Sequence, residues 1–411
     1  MRNHPLDGFQ RQPLTIRDIR VIPLSYVHPE ENLWRSSTYQ VWKTDAAITE
    51  IITEEGLTGI GEGTPYEGPT YIKKFTEDVI KPLIIGKNPF DVELLTNRGT
   101  DSRKNRAPWA GVDAACWDLI GKSLNKPVYE VLSIDGKPQR SIPIYASGGV
   151  EHAWYEDGQQ QLIEEALRHK DAGYDAFKFR IGTSWDHSGM TLKKYIPVLE
   201  KLRSAVGPEF RLIHEAVGKN MGSFETILND FAPVLEQLGF YWFEEAFGST
   251  DILHMNWYKK LNQALPTVRV SGGERFLNRF EAQTWLDNDG LDIVQTDCNV
   301  TGVTENWYIG QMARLRGKTL IPHNWHGGAT TMANAHLVAA MPNREYCELN
   351  QTFNPLKDEI FREPLITKNG TMTLTNRPGF GVELIDDLEN KFPFVEGSYL
   401  KQNSYFESSN V

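Results

Sequence analysis

Three glutamates in the middle of the chain are spaced like side chains that converge on one cation. Glu215, Glu244 and Glu274 each end a short segment rich in β-branched and aromatic residues, and they lie 29 and 30 residues apart. Such segments predict strands, and carboxylates at neighbouring parallel strand ends would repel one another unless a divalent cation neutralised them. Oxygen ligands favour Mg²⁺, with Mn²⁺ as the alternative ion. A single acid would more often pair with Lys or Arg, so it is the repetition that favours a metal site.

An acid and a histidine end the next two strand-like segments, DIVQTD and KTLIPH. A carboxylate beside an imidazole fixes its tautomer and raises its basicity, so we predict that His323 is a general base held by Asp297. Glu348 ends the last such segment and is expected to face the same site. It would either stay protonated and donate a hydrogen bond to a developing oxyanion, or form a structural salt bridge.

Two cations lie on an upstream strand-like segment, AFKFR. Lys178 and Arg180 are two residues apart, so their side chains face the same side of a strand. Cations at the partly buried end of a strand need anions as partners, here either the metal-binding carboxylates or a carboxylate of the substrate. The sequence leaves open whether His214 takes part in the site. Candidates for substrate contact are Trp34, Arg35, Tyr145, Trp325 and His326, together with the loop of residues 64–66.

These residues are positioned by a strand–helix pattern that begins near Arg140. Strand-like segments alternate with amphipathic helical stretches, as expected for parallel strands joined by crossover helices. Eight strands with helices in the seven gaps predict an α/β fold, a (β/α)7β barrel of the TIM type with its active site at the carboxyl-terminal rim. The eight segments are 141–147, 175–181, 210–216, 240–244, 268–273, 292–297, 318–323 and 345–349.

The chain on either side of the barrel has a different pattern. Residues 14–64 predict an antiparallel meander and residues 70–132 predict helices, so residues 1–138 are assigned to an α+β capping domain. The barrel is assigned to residues 139–369. The tail, residues 370–411, is expected to run back to the capping domain.

Composition excludes several kinds of partner. The 411 residues carry a formal net charge of −11 without a basic stripe for phosphates, which argues against nucleic acid. No apolar run is long enough to span a bilayer, and the N-terminal residues lack the apolar core of a signal peptide. We therefore expect a cytoplasmic protein with reduced cysteines that acts on a small molecule.

The chain resembles the enolase superfamily, and within it the mandelate racemase-like group. Lys178-Phe179-Arg180 stands where that group carries Lys-x-Lys, and FEE and GGE resemble its second and third metal-ligand strands. QTDCNVTGVTE is similar to its aspartate strand, IPHNW to its histidine strand and CELN to its final glutamate. AGVDAACWDLIGKSLNKPV is similar to a recurrent helix of its capping domain, so the resemblance covers nearly the whole chain.

The resemblance implies a homo-oligomeric enzyme with one Mg²⁺ per subunit that removes the proton α to a carboxylate and forms an enediolate. Three departures stand out. Glu215-Ala-Val replaces the usual Asp-Ala-Asn, Glu244-Glu-Ala replaces Glu-Glu-Pro, and Arg180 replaces the second lysine. Because a guanidinium stays protonated, Arg180 is a poor base, whereas racemisation needs a base on each face of the intermediate.

A single base favours a one-faced reaction. His323 would remove the α proton and a β-hydroxyl would leave, which converts an aldonate or aldarate into a 2-keto-3-deoxy acid. Lys178 would contact the substrate carboxylate, and Arg180 the enediolate or a hydroxyl. The alternative is a cycloisomerase of a sugar lactone or anhydro-sugar acid, and a racemase or epimerase fits less well. Two other classes stay open, a zinc hydrolase that uses His214, His323 and His326, and a non-catalytic binder of sugar acids.

Overall fold

The structure of the chain is a computed structural model. It describes residues 2–35, 39–63, 67–95, 102–150, 158–180, 190–216, 222–247 and 251–402. Within these ranges no helix combines the length and the apolar composition that crossing a membrane requires.

The N-terminal domain contains an antiparallel sheet and a layer of helices. Its strands are β1 (Ile16–Val27), β2 (Trp34–Arg35), β3 (Tyr39–Val41), β4 (Lys43–Thr53) and β5 (Thr58–Glu62). The main sheet has the order β1-β4-β5, and β2 pairs with β3 beside it. The helices are α1 (Pro69–Phe75), α2 (Lys81–Ile84), α3 (Val92–Leu95), α4 (Arg103–Ser123) and α5 (Val128–Leu132). A π-helical turn, Thr76–Ile80, joins α1 to α2.

Strand β5 lies directly on helix α4. A Cβ atom at Gly61 would come within 2.1 Å of the Gly111 carbonyl oxygen, and one at Gly63 within 2.6 Å of the Ala107 carbonyl oxygen. The missing side chains therefore allow the two backbones to touch. Because successive residues of a strand point to opposite faces, Glu62 points away from α4 and towards the barrel.

Eight parallel strands form the barrel. They are β6 (Ser141–Gly148), β7 (Ala176–Arg180), β8 (Arg211–Glu215), β9 (Trp242–Glu244), β10 (Arg269–Gly272), β11 (Ile293–Val294), β12 (Thr319–Leu320) and β13 (Cys347–Asn350). The ladder runs in chain order from β6 to β12, and β13 pairs with the other side of β6. The eight strands match the eight predicted segments, so the TIM-type barrel with an N-terminal cap is confirmed.

Helices fill the seven connections between these strands. They are α6 (Gly158–Asp171), α7 (Leu192–Val206), α8 (Phe224–Thr226), α9 (Ala232–Gln237), α10 (Met255–Ala264), α11 (Arg279–Asn288), α12 (Val303–Leu315) and α13 (Gly328–Ala340). The fourth strand of the barrel is reached through α8, a π-helical turn and α9. Side chains fix several helix starts, since Thr191 and Asn278 accept hydrogen bonds from the free N–H groups of α7 and α11.

Alternation along the strands gives the barrel interior two layers. Near the amino ends lies a fully buried apolar layer of Tyr145, Ala176, Ile213, Trp242, Ile293, Ile321 and Tyr346. Two residues further along six of these strands lies what we call the polar layer, Lys178, Glu215, Glu244, Gln295, His323 and Glu348. The apolar layer thus forms the floor on which the polar layer rests.

The chain after the barrel forms short elements, β14 (Thr367–Lys368), β15 (Thr371–Thr373), α14 (Leu388–Lys391) and β16 (Leu400–Gln402). β15 pairs antiparallel with the start of β6. β16 pairs with β3, so this segment ends against the N-terminal domain.

Candidate active site

Three strand ends bring a cation and two acids to the same level of the barrel. Arg180 on β7 is paired in register with Glu215 on β8, and Glu215 with Glu244 on β9. Arg180 Nη1 lies 3.1 Å from Glu215 Oε1. The side chains are 18, 8 and 2% exposed, respectively, so this is a buried ion cluster in which Arg180 is the most exposed member.

Lys178, two residues before Arg180 on β7, contacts the same acids. Its ammonium Nζ is 2.5 Å from Glu244 Oε1 and 2.8 Å from Glu348 Oε1. Glu215 Oε2 is 3.6 Å away. Burial lowers the pKa of Lys178, but the surrounding carboxylates outweigh this and hold the pKa well above its usual range. Lys178 is therefore a buried ammonium ion paired with several acids.

Glu274 reaches the site through a turn rather than through strand alternation. Ser271 is paired in register with Glu244, so simple alternation beyond it would point Glu274 outward. Strand β10 ends at Gly272, and Gly273 adopts a φ of +111°, which redirects the chain. A Cβ at Gly273 would lie 2.8 Å from the Phe276 ring, so the turn suits glycine alone. Glu274 is thereby brought to His323.

His323 and Asp297 are joined by a hydrogen bond. His323 Nδ1 lies 2.8 Å from Asp297 Oδ2, and His323 Nε2 lies 3.3 Å from Glu274 Oε2. His326 Nε2 binds the same Asp297 oxygen at 2.7 Å. Two imidazoles therefore share one carboxylate oxygen, whereas the sequence predicted only the first pair.

The acids around His323 favour its protonated, imidazolium form. Burial alone would lower its pKa, but the carboxylates of Glu274, Asp297 and Glu348 raise the pKa of His323 to about 10. Burial raises the pKa of Glu244 to about 7 against the opposing Lys178 ammonium. Both shifts have the sign expected where carboxylates outnumber cations.

The contacts of Glu348 favour the salt bridge over the protonated donor, the two roles that the sequence left open. Burial would raise its pKa, but Lys178 and then His323 lower it below its usual range. Its Oε2 accepts a hydrogen bond from the Asn324 backbone N–H at 2.8 Å. A protonated Glu348 that donates to an oxyanion does not fit these contacts, whereas the salt bridge does.

The predicted metal ligands end three successive strands but are not gathered as tightly as a coordination sphere. Each touches a cationic group, Glu215 through Arg180, Glu244 through Lys178 and Glu274 through His323. Among the described residues, the one group of three ligand-type side chains within 4.8 Å of one another is Asp297, His323 and His326. That closeness follows from their hydrogen bonds. The carboxylates are a hard, all-oxygen donor set that already binds positive charge, which suits Mg²⁺.

His214 lies outside the site. It alternates with Glu215 on β8, so its ring points to the helix layer, among Phe231, Phe240 and Phe243. Its Nε2 is 2.8 Å from the Tyr195 hydroxyl, and burial lowers the pKa of His214 to about 3. A zinc site of His214, His323 and His326 is therefore wrong, because the first histidine is on the opposite face of the strand.

The predicted substrate contacts are in different surroundings. The Trp325 ring lies 5.5 Å from the Arg180 guanidinium, the most exposed member of the ion cluster. Tyr145 is fully buried in the apolar layer and packs edge-on against Trp242. Trp34 and Arg35 form β2, but their side chains, like residues 64–66, lie outside what the structure describes.

Two contacts to the acids were missed from the sequence. Gln295 Nε2 donates to Glu244 Oε2 at 2.6 Å, and the Trp242 indole N–H donates to the same oxygen at 3.2 Å. Gln295 could have been found, because it lies two residues before Asp297 and so shares its face. Trp242 likewise lies two residues before Glu244 and shares its face.

Two family models match the chain. Residues 23–133 match the N-terminal domain of the mandelate racemase / muconate lactonizing enzyme family, and residues 161–388 match the enolase C-terminal domain-like family.

Similar proteins span nearly the whole chain. An arabinonate dehydratase of Saccharolobus solfataricus is 30% identical, over 92% of this chain and 99% of that protein. A D-galactarolactone cycloisomerase of Agrobacterium fabrum is 26% identical, over 89% of this chain and 96% of its own length. The crystal structure of an enolase superfamily member from Polaromonas sp. JS666 superimposes with a TM-score of 0.81 at 29% identity, covering 93% of this chain and 98% of that one.

Proposed function

Because this chain belongs to the mandelate racemase / muconate lactonizing enzyme family of the enolase superfamily, we propose that it is a Mg²⁺-dependent dehydratase of an acid sugar, a carbon–oxygen lyase. The observation that carries the proposal is the asymmetry of the polar layer. One imidazole held by an acid, His323 on Asp297, is partly exposed, and the partly exposed cation on strand β7 is an arginine, Arg180.

His323, as the neutral imidazole, removes the proton α to the substrate carboxylate. The base is Nε2, because Nδ1 is hydrogen-bonded to Asp297. Asp297 holds the ring and stabilises the imidazolium that forms. The electron pair released at the α carbon forms a double bond to the β carbon as the β-hydroxyl leaves. The imidazolium returns its proton to that hydroxyl when departure is syn, so water is lost and the enol becomes a 2-keto-3-deoxy acid.

Arg180 makes the reaction one-faced. Its guanidinium stays protonated, so it can donate hydrogen bonds to an oxyanion or hydroxyl but cannot return a proton in the way a lysine can. The Trp325 ring lies beside it. Racemisation at the α carbon is disfavoured for this reason.

Glu215, Glu244 and Glu274 would hold the metal ion. When bound, Mg²⁺ supplies positive charge beside the substrate carboxylate, where negative charge develops as the α proton leaves. Lys178 adds a fixed positive charge below the acids and helps to orient the substrate carboxylate. Tyr145 supports Lys178 from the apolar layer, because its ring lies 5.9 Å from the Lys178 ammonium.

The proposal is tested with a panel of aldonates and aldarates. The purified protein, incubated with Mg²⁺, is expected to form 2-keto acids that react with semicarbazide, and mass spectrometry is expected to show the loss of one water. A His323→Asn variant serves as the inactive control. Silence of the wild-type protein across the panel contradicts the proposal.

A cycloisomerase is the second candidate, and the similarity to the galactarolactone enzyme favours it. It would use the same base but expel a ring oxygen, so product and substrate would have equal mass. Incubation with sugar lactones and anhydro-sugar acids therefore separates the two activities.

We also propose that the protein is cytoplasmic, as its composition predicts, and that it is a homo-oligomer, as the resemblance implies. Light scattering on the eluting protein is expected to give a mass well above that of one chain. A monomer would contradict this part of the proposal.

A further inference from the structure

A carboxylate from the N-terminal domain reaches the loop that carries both histidines of the site. Glu62, the last residue of β5, is 3% exposed. Its Oε1 accepts a hydrogen bond from the Gly327 backbone N–H and its Oε2 one from the Thr330 N–H, each at 3.0 Å. Such N–H groups have no partner inside a helix. Glu62 therefore caps α13, the helix that follows the histidine loop.

The fit around this carboxylate is tight. A Cβ at Gly327 would lie 2.7 Å from Glu62 Oε1. On its other side β5 is pressed against α4 at Gly61 and Gly63. A displacement of β5 relative to α13 would break these two hydrogen bonds, so Glu62 links the start of α13 to the N-terminal domain.

One chain of contacts leads from α13 to the acid of the catalytic pair. The Asn299 amide N–H donates to the Thr330 hydroxyl, and the Asn299 backbone N–H donates to Asp297 Oδ1 at 2.9 Å. Thr330 is one of the two residues that Glu62 caps. The capped turn is thus joined to Asp297 through one residue, Asn299.

A second and shorter route passes through His326. It directly precedes Gly327, and its Nε2 binds Asp297 Oδ2, the oxygen that also binds His323. Burial raises the pKa of Glu62, and His326 is the largest influence that opposes this rise. The acids and imidazoles Glu62, His326, Asp297, His323 and Glu274 therefore alternate across the domain boundary.

We propose that Glu62 and His326 are positioning residues, which hold Asp297 and through it His323 in the orientation for proton removal. The N-terminal domain then contributes to the catalytic base as well as covering the barrel. This inference rests on the proposed function, since proton removal by His323 is the step it affects. It also gives His326 a role other than the substrate contact that the sequence predicted.

The chain offers a matched control. Asp113 is another buried carboxylate of the N-terminal domain, and its Oδ2 accepts the Thr304 N–H at 2.8 Å in the first turn of α12. Asp113 thus caps a barrel helix in the way Glu62 does. Its helix follows the Asp297 loop, but the Thr304 hydroxyl contacts Asp113 and Trp117 rather than Asp297 or a histidine. Asp113→Asn and Glu62→Gln remove the same charge from equivalent interdomain contacts.

The first experiment measures turnover and exchange of the substrate α proton with D₂O. Glu62→Gln and His326→Asn are each expected to lower kcat about 10–100-fold with KM within about twofold, and to slow exchange in parallel. The double variant should be little worse than the poorer single variant, because both act on one orientation. Asp113→Asn should lower Tm about as much as Glu62→Gln does, and it should leave kcat nearly unchanged. Equal kcat losses in Glu62→Gln and Asp113→Asn, or additive losses in the double variant, would overturn the proposal.

The second experiment needs no substrate. Imidazole N–H protons bonded to Asp297 give low-field proton NMR signals, assigned by their loss in His323→Asn and His326→Asn. Glu62→Gln is expected to shift both signals, and Asp113→Asn to leave them in place. Unshifted signals in Glu62→Gln overturn the inference even if the enzyme is active. Shifted signals in a protein inert towards all sugar acids would instead contradict the proposed function alone.

Discussion

The apolar and polar layers of the barrel lie on the same strands, two residues apart, and differ in almost every property. Trp242 is followed by Glu244, Ile213 by Glu215 and Tyr346 by Glu348. The first member of each pair packs against its apolar neighbours, and the second forms ion pairs. The side-chain period of a strand is enough to separate a hydrophobic floor from a charged site.

The difference explains why the pKa values of side chains in the polar layer are strongly shifted. The floor excludes water from below, and at the strand starts Arg269 stacks on Tyr241 and pairs with Glu345, which closes the amino end of the barrel. Charges interact more strongly away from water. The acids thereby raise the pKa of His323 to about 10 although burial alone would lower it.

Removal of the metal should give the largest difference between the two layers, because activity depends on the polar layer and the fold on the apolar layer. Chelation by EDTA is expected to abolish dehydratase activity, because the polar layer loses the cation that its three glutamates are proposed to hold. Added Mg²⁺ should restore the activity, and circular dichroism should show an unchanged fold, since the apolar layer needs no metal. Full activity after exhaustive chelation would contradict the metal site.

His323→Asn should affect only the polar layer. Loss of the base is expected to lower kcat about 10²–10⁴-fold, the usual contribution of a general acid–base group. Exchange of the α proton with solvent should be lost to the same extent, as followed by proton NMR. Dehydration lost with exchange retained would show that another group removes the proton.

Trp242→Ala should mainly lower stability, because Trp242 belongs to the apolar layer. Truncation of a fully buried tryptophan is expected to lower the free energy of unfolding by about 3–5 kcal/mol, measured by urea denaturation. Activity should fall as well, because Glu244 loses the indole N–H. Trp242→Phe is the control that keeps most of the packing, and a loss of stability as large as that of Trp242→Ala would argue against packing as the cause.

A histidine outside the barrel interior sharpens the contrast with His323. His336 accepts the Tyr129 N–H through Nδ1 and contacts the Phe380 carbonyl through Nε2, and burial lowers its pKa to about 3. The unfolded chain therefore binds one more proton between pH 6.5 and about 3, so stability is present above pH 6.5 and is lost as pH falls.

The measurement is Tm or the free energy of unfolding as a function of pH. His336→Gln is expected to reduce the slope of unfolding free energy with pH by about 1.4 kcal/mol per pH unit in the acid range. An unchanged slope would mean that His336 is protonated in the folded protein.

Alternation and strand composition were enough to predict much of this molecule. They identified the eight strands, the convergence of their ends, and the shared face of Lys178 and Arg180. They failed where the backbone leaves the regular strand, because Glu274 depends on the turn at Gly273. The alternation of side chains also implied that Gln295 shares a face with Asp297, but nothing in the composition of the segment marked Gln295 as a site residue.

Side-chain chemistry was harder to predict than position. A buried carboxylate can be neutral or ionised, and the choice for Glu348 depends on Lys178, which is distant in sequence. The same holds for His326, whose partner Asp297 lies on another strand end. Distances of this kind are set by packing, which a single sequence does not display.

The sequence by itself therefore determined which residues end the strands and what chemistry those residue types allow, because both follow from local periodicity and side-chain pKa. The sequence predicted the pair of Asp297 with His323, and only the tertiary structure decided the other pairings. Ionisation states, the direction of Glu274 and the contact of Glu62 with the histidine loop arise where segments far apart in the chain are brought within hydrogen-bonding distance. Electrostatic and hydrogen-bond energies depend on those separations, and the separations exist only in the folded protein.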